Sequence, residues 1–172
     1  MPAIVSLHEI VDQLTCLDDE STAYLNKETG EVVMVSREDM SWAEEGGELE
    51  DIQDEPEWQR EIFRIAIDVL DSDDYVALPG KFELDEYDIM RDFCASVAGD
   101  RLRDRLLDAI RGAGAFRRFR DAIHRFDIAE DWYRFRDAAL KEIAIAWLKE
   151  NHVAYADDTG PGIKRRDAHG TR

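Results

Sequence analysis

From Leu84 onward the apolar residues of this chain return at intervals of three and four, which commits the second half to amphipathic helices. Tyr87, Met90, Phe93, Cys94 and Val97 make one stripe, and Leu102, Leu106, Ala109 and Ile110 a second. Phe116, Phe119, Ile123 and Phe126 make a third, and Trp132, Phe135, Ala139, Leu140, Ile143 and Trp147 a fourth. Arg111-Gly112-Ala113-Gly114 reads as a tight connection between the second and third. A helix apolar on one side only must bury that side, so these helices pack on one another or on what precedes them.

What precedes them is mixed. Ser6-Leu7-His8-Glu9 has the spacing of a capping box, and Leu7, Ile10, Val11 and Leu14 follow at helical intervals. Tyr24-Leu25-Asn26 and Val32-Val33-Met34-Val35 flank Lys27-Glu28-Thr29-Gly30-Glu31, which predicts a β-hairpin with Gly30 at a positive φ. Residues 44–57 form an acidic, glycine-containing loop, and Pro56 opens a helix over Trp58–Leu70. Ile62, Phe63, Ile65, Ala66 and Val69 make that helix apolar on most sides, so it is expected at the centre of the fold. Tyr75-Val76-Ala77-Leu78, stopped by Pro79-Gly80, reads as a third strand. The fold class is therefore α+β: a small antiparallel sheet, hairpin plus one strand, packed by about five or six helices, with the C-terminal part all helical. Residues 1–155 are expected as one domain and 156–172 as a disordered tail.

The chain of 172 residues carries a net charge of -18, unevenly distributed. Residues 1–100 hold six basic and 28 acidic side chains, a net of -22; residues 101–172 hold 16 and 12, a net of +4. The field of the whole molecule repels phosphate, which argues against general coating of nucleic acid. It leaves room for a local basic patch, for a basic partner of the acidic half, or for docking of the two halves on each other.

Cys16 and Cys94 lie in separate apolar helical stretches without a CxxC pair, so both are expected as reduced, buried thiols. The N-terminus has no basic region, and His8, Glu9 and Asp12 interrupt its apolar residues. The run Ile143–Leu148 is far too short for a bilayer. The cytoplasm is the expected compartment, with no membrane partner.

Chemical motifs are weak. Asp71-Ser72-Asp73-Asp74 lacks the glycine and distal glutamate of a calcium loop and reads as a solvated turn. His8, His124, His152 and His169 are scattered, without zinc spacing. Gly112-Ala113-Gly114 lacks the lysine and hydroxyl of a P-loop. No metal, no cofactor and no catalytic residue is expected.

One pattern stands above chance. Phe116-Arg117-Arg118-Phe119-Arg120-Asp121-Ala122 recurs as Trp132-Tyr133-Arg134-Phe135-Arg136-Asp137-Ala138. The plain reading is two amphipathic helices packed as a hairpin. The functional reading is a surface where arginines flank aromatic rings, as in phosphate or nucleic-acid recognition. Its candidates are Arg117, Arg118, Arg120, Arg125 and Arg134. On a helical wheel Arg117 and Arg125 point away from the first stripe, with Arg118 and Arg120 at its borders. Arg136 instead falls inside the second stripe, between Trp132, Leu140 and Ile143, and is expected in an ion pair with a carboxylate of the acidic half.

Tyr24-Leu25-Asn26-Lys27-Glu28-Thr29-Gly30-Glu31-Val32, Gly114-Ala115-Phe116-Arg117-Arg118-Phe119, and Trp132 with Phe135-Arg136-Asp137 resemble the bacterial uncharacterised protein family 0158. The resemblance covers roughly residues 20–150. It implies no activity and carries over no catalytic residue.

The expected function is a non-enzymatic interaction or regulatory module that binds another macromolecule, a protein first, through the acidic half, the arginine–aromatic helices, or both. The second reading is a nucleic-acid-associated regulator using the arginine–aromatic helices, and the third a carboxylate-metal hydrolase. A contiguous basic strip would favour the second, and converging carboxylates in a cleft the third.

Overall fold

Ser6 ends the first strand and starts the first helix. In the computed structural model, which describes residues 2–159, β1 (Val5–Ser6) runs directly into α1 (Leu7–Thr15), and the Ser6 hydroxyl accepts the Glu9 amide hydrogen bond at 3.2 Å. That bond satisfies one of the orphan amides of the first turn. Leu7, Ile10, Val11 and Leu14 are buried on one side of α1.

The hairpin follows as β2 (Ser21–Asn26) and β3 (Val32–Ser36), paired antiparallel from Ser21 opposite Ser36 to Leu25 opposite Val32. Its loop is shaped by Asn26, whose side-chain oxygen accepts from the amides of Glu28 and Thr29, and by Gly30 at φ 78°. A side chain at Gly30 would also press on Ala3, 3.2 Å from where its Cβ would sit. β4 (Tyr75–Ala77) adds to the other side of β2, giving the order β3-β2-β4.

The pleat then sorts the sheet's two faces. Ala23, Leu25, Val32 and Val76 face α1 and the long C-terminal helix, α8 (Ala129–Glu150), whose Leu140, Ala144 and Leu148 are fully buried there. Tyr24, Val33, Val35 and Tyr75 face α2 (Arg37–Glu44) and α3 (Glu57–Asp71). No periodicity announced α2, which follows β3 without a loop. Ser36 accepts from the Asp39 amide at 3.1 Å and donates its hydroxyl to the Asp39 carboxylate at 2.6 Å.

α3 is not central, contrary to its apolar composition. Only Ala66 and Val69 are buried on it, and Trp58 is 66% exposed. It lies on the outer face of the sheet against α2, with the Phe63 and Trp42 rings 4.4 Å apart. Between α2 and α3 the acidic loop is pinned by a 3-10 turn, Leu49–Ile52, that buries Ile52.

The helical half comprises α4 (Lys81–Leu84), α5 (Glu86–Ser96), α6 (Asp100–Ala109), α7 (Ala115–Arg125) and α8. Met90, Phe93 and Cys94 of α5, Leu106 of α6, and Phe119 and Ile123 of α7 build a second cluster. Phe93 sits at its centre, edge-on to Phe119 (6.0 Å), Trp132 (5.4 Å) and Phe135 (5.5 Å). Such pairs each contribute about 0.5–1.5 kcal/mol beyond their buried area. Trp132 and Phe135 also touch the first cluster, so α8 joins the two.

Two expectations change here. Cys94 is buried and free, but Cys16 is exposed. Position 16 lies about 180° around α1 from the Leu7–Leu14 stripe, so its placement in the core fails on helical geometry alone. The ordered chain also passes residue 155. β5 (Tyr155–Ala156) pairs in parallel with β1, and Asp158 accepts hydrogen bonds from the Ser6 hydroxyl and the His8 amide. The rest of the expected tail, 160–172, lies outside the described residues. No helix among the described residues is long and apolar enough to cross a membrane.

Candidate functional site

α7 carries four arginines on eleven residues, and the local chain decides what each can do. The helix starts at Gly114, whose φ of 77° turns the chain sharply after α6. Arg118 folds back over that turn. Its guanidinium donates to the carbonyls of Ala109 (2.7 Å), Ala113 (2.6 Å) and Arg111. These are carbonyls that the end of α6 and the turn leave without backbone partners. Arg118 is therefore a cap, with three of its five N–H donors given to these carbonyls.

Arg134, on α8, pairs with Asp131 one turn earlier at 2.8 Å. Arg117, Arg120 and Arg125 are exposed, and their side chains make no hydrogen bond or ion pair among the described residues. Arg117 shares the outermost line of α7 with Asp121 and His124, three and four residues apart.

Two open grooves run along the flanks of this face. The one between α6 and α7 encloses about 400 Å³ and is lined by Arg105, Arg118 and Arg125, with Asp108 and Asp121 among them. Its floor includes the Phe126 ring, with the Arg105 guanidinium carbon 5.9 Å from the ring centre. The other lies between α5 and α7, about 530 Å³, lined by Tyr87, Phe116 and Arg120 with Lys81, Asp19, Asp85 and Glu86. Tyr87 and Phe116 meet edge to face at 6.4 Å and remain 37% and 48% exposed. The Tyr87 hydroxyl donates to the Ile110 carbonyl at 3.0 Å, so this aromatic pair is held in place.

Glu86, which lines this groove, is paired with Arg136 of α8. The Arg136 Nη2 lies 2.6 Å from Glu86 Oε1, with the side chains 21% and 32% exposed. At the groove's edge Asp85 accepts the Asp88 amide, and the hydrogen bond shared between these two carboxyls raises the Asp88 pKa above its ordinary 3.8. Lys81 approaches Asp19 at 3.6 Å.

The two copies of the repeated motif thus take different roles. Phe119 and Phe135, equivalent by the repeat, both pack on Phe93. Phe116 is exposed, whereas its counterpart Trp132 packs edge to face against Phe93 and Phe119. Arg118 caps a helix while Arg134 makes a surface pair; Arg120 is open while Arg136 is paired.

Tyr87, Lys81, Glu86 and Arg105 were not singled out by the sequence as groove residues. Tyr87 sits on the apolar stripe of α5, and only the approach of α7 turns its ring into a groove wall. No carboxylate cleft accompanies them: among the described residues no group of three or more His, Cys, Asp or Glu side chains is placed to hold a metal ion. His8 faces Asp12 at 3.2 Å, His124 and His152 are exposed, and His169 lies outside the described residues.

Fold and site together define a small acidic α+β protein that presents a basic, aromatic-edged helix face between two open grooves. The chain belongs to the uncharacterised protein family UPF0158, whose sequence profile matches residues 1–160. It is similar to a UPF0158 protein of Pseudomonas aeruginosa, 27% identical over 74 residues, which is 42% of this chain and 48% of the relative. The match thus spans about half the length of that relative. No solved structure matches the chain.

Proposed function

We propose that this protein is a non-enzymatic interaction module that binds another protein through the exposed face of α7. The observation that carries the reading is the state of Arg117, Arg120 and Arg125. In a chain where 40 acidic residues face 22 basic ones, these three point outward with no carboxylate partner among the described residues. Arginine and aromatic side chains together are what the centres of protein interfaces are enriched in. Phe116 and the fixed Tyr87 supply the aromatic part beside Arg120. The fitting partner is a protein segment that offers a carboxylate to the arginines and an apolar side chain to the Tyr87–Phe116 groove.

The nucleic-acid reading has less support. Asp121 interrupts the outer line of α7, Asp108 lies between Arg105 and Arg118 in the groove, and the net charge of -18 opposes a phosphate backbone.

The test is affinity purification of tagged protein from its own host, with and without nuclease, beside an Arg117→Gln/Arg120→Gln/Arg125→Gln variant. A bound protein that survives nuclease and is lost from the variant supports the reading. Material that disappears with nuclease replaces it with the nucleic-acid one. A partner held equally by the variant removes α7 from the interface.

A further inference from the structure

The three-stranded sheet has two edges, and the chain guards only one. β4 is three residues long and is followed within two residues by Pro79, so it offers almost no ladder. β3 runs Val32-Val33-Met34-Val35-Ser36 in unbroken register with β2, without proline, lysine, glycine or bulge. The Asn26 amide donates to the Glu31 carbonyl at 2.9 Å, and the Arg37 amide to the Glu20 carbonyl at 2.7 Å. Counting by twos, the backbone groups of Glu31, Val33, Val35 and Arg37 face β2. Those of Val32 and Met34 face outward, with no hydrogen-bond partner among the described residues. The Met34 side chain is 43% exposed beside them.

We propose that the protein forms a two-fold homodimer in which β3 pairs antiparallel with β3 of a second copy, centred on Met34. Charge selects both the occupant and the register. Glu31 and Arg37 bracket β3 with opposite charges, are both exposed, and have no side-chain ion pair among the described residues. Arg37 donates only to the Asp19 carbonyl, at 2.9 Å. Centring on Met34 sets Glu31 of each copy across from Arg37 of the other, so one self-complementary pairing neutralises four charges. Centring one residue earlier sets Glu31 across from Val35, and one residue later carries it past the end of β3 onto α2, so neither register pairs Glu31 with Arg37. Registers that fall between residues oppose outward groups with inward ones and lose the hydrogen bonds. In the favoured register Met34 exchanges both backbone bonds with its own copy, and the Ser36 amide reaches the Val32 carbonyl. The two three-stranded sheets become one of six strands. This surface is separate from the α7 face and does not rest on it.

The experiment is analytical ultracentrifugation of the full chain over a concentration series. Wild type should sediment at twice the 19.8 kDa chain mass. Met34→Pro removes an outward amide that bonds nothing within the chain, and Met34→Lys places a charge on the edge; each should be monomeric with unchanged circular dichroism. If the proline variant fails to fold, the lysine variant decides. Glu31→Arg and Arg37→Glu should each weaken the dimer by about tenfold, because two cross-strand pairs turn repulsive together. The double variant should restore it. A wild type that stays monomeric at every concentration overturns the proposal. So does a dimer indifferent to Met34→Lys, and so do charge reversals that act without mutual rescue.

Discussion

The guanidinium of Arg136 lies 2.6 Å from the carboxylate of Glu86, joining the middle of α8 to the first turn of α5 across 50 residues of sequence. The pair links the acidic part of the chain to the mildly basic part. Glu86 stands at the N-terminus of α5, where a carboxylate also meets the positive end of the helix dipole. At 21% and 32% exposure the two charges are partly desolvated, so the pair lies between the surface and buried limits.

Removing Arg136 should therefore cost more than removing an arginine of the α7 face. Arg136→Ala is expected to lower the unfolding free energy by about 1–3 kcal/mol, and Arg117→Ala by less than about 0.5 kcal/mol. Urea denaturation of both variants measures this directly. Equal, small losses would show that the ion pair adds nothing to the fold.

The thiols should separate cleanly. Burial pushes the Cys94 pKa up to about 11, which leaves almost no thiolate at neutral pH, whereas Cys16 is exposed. A thiol reagent should label one cysteine per native chain, and the second only after denaturant is added. Cys16→Ser should abolish native labelling. Fast labelling of that variant would mean that the α5–α7 cluster opens readily.

Arg118 is expected to behave as part of the backbone. It serves three carbonyls around the α6–α7 turn, so Arg118→Ala should destabilise by about 1–2 kcal/mol, more than Arg120→Ala, which loses no bond. Arg118→Lys should recover little, since an ammonium cannot reproduce the planar fork. Thermal melts of the three variants rank them, and a neutral Arg118→Ala would return this residue to the recognition surface.

How far the sequence carried depends on whether the signal was local. The helices of the second half were legible because each repeats its apolar residues over two or three turns, and the hairpin because two apolar runs flank a short loop that carries Gly30. α2 was not, because its signal is a cap: Ser36 and Asp39 satisfy one another, while Arg37-Glu38-Asp39 hides any stripe. β1 and β5 are two residues each and exist only through pairing across the whole chain, beyond the reach of any window. α3 misled because apolar residues around a helix do not say which neighbours cover them; the hairpin and α2 cover one side, and Trp58 stays out. At the site, the wheel set Arg136 apart from Arg117 and Arg125, and its guanidinium lies against Glu86. It could not foresee that Arg118 would be used up by carbonyls of a preceding turn, or that Tyr87 and Phe116 would meet.

The last expectation concerns acid and the seam between the chain's two ends. Asp158 accepts from the Ser6 hydroxyl at 2.5 Å and the His8 amide at 2.8 Å, capping α1 from the far end of the sequence beside the β1–β5 pair. The Ser6 hydrogen bond, then the His8 amide, hold its pKa below the ordinary 3.8. Because the folded value is the lower one, the carboxylate stabilises the fold in full above 3.8 and loses that contribution as pH falls through the folded value. Asp157 next to it is also lowered, to about 2, first by the Thr159 hydroxyl and then by Lys141, so wild type keeps a second acid-sensitive contact. His8 faces Asp12 at the same corner. Asp158→Asn leaves those groups in place and removes one charge at the helix end. It should lower stability at neutral pH by about 1 kcal/mol, the size of a lost helix cap. The gap from wild type should narrow steadily as pH falls below about 4, where the carboxylate of the unfolded chain takes up its proton before that of the folded one. Urea midpoints of the two proteins across that range measure the gap. A gap that is absent at neutral pH, or that widens in acid, would show that this carboxylate does not hold the two ends together.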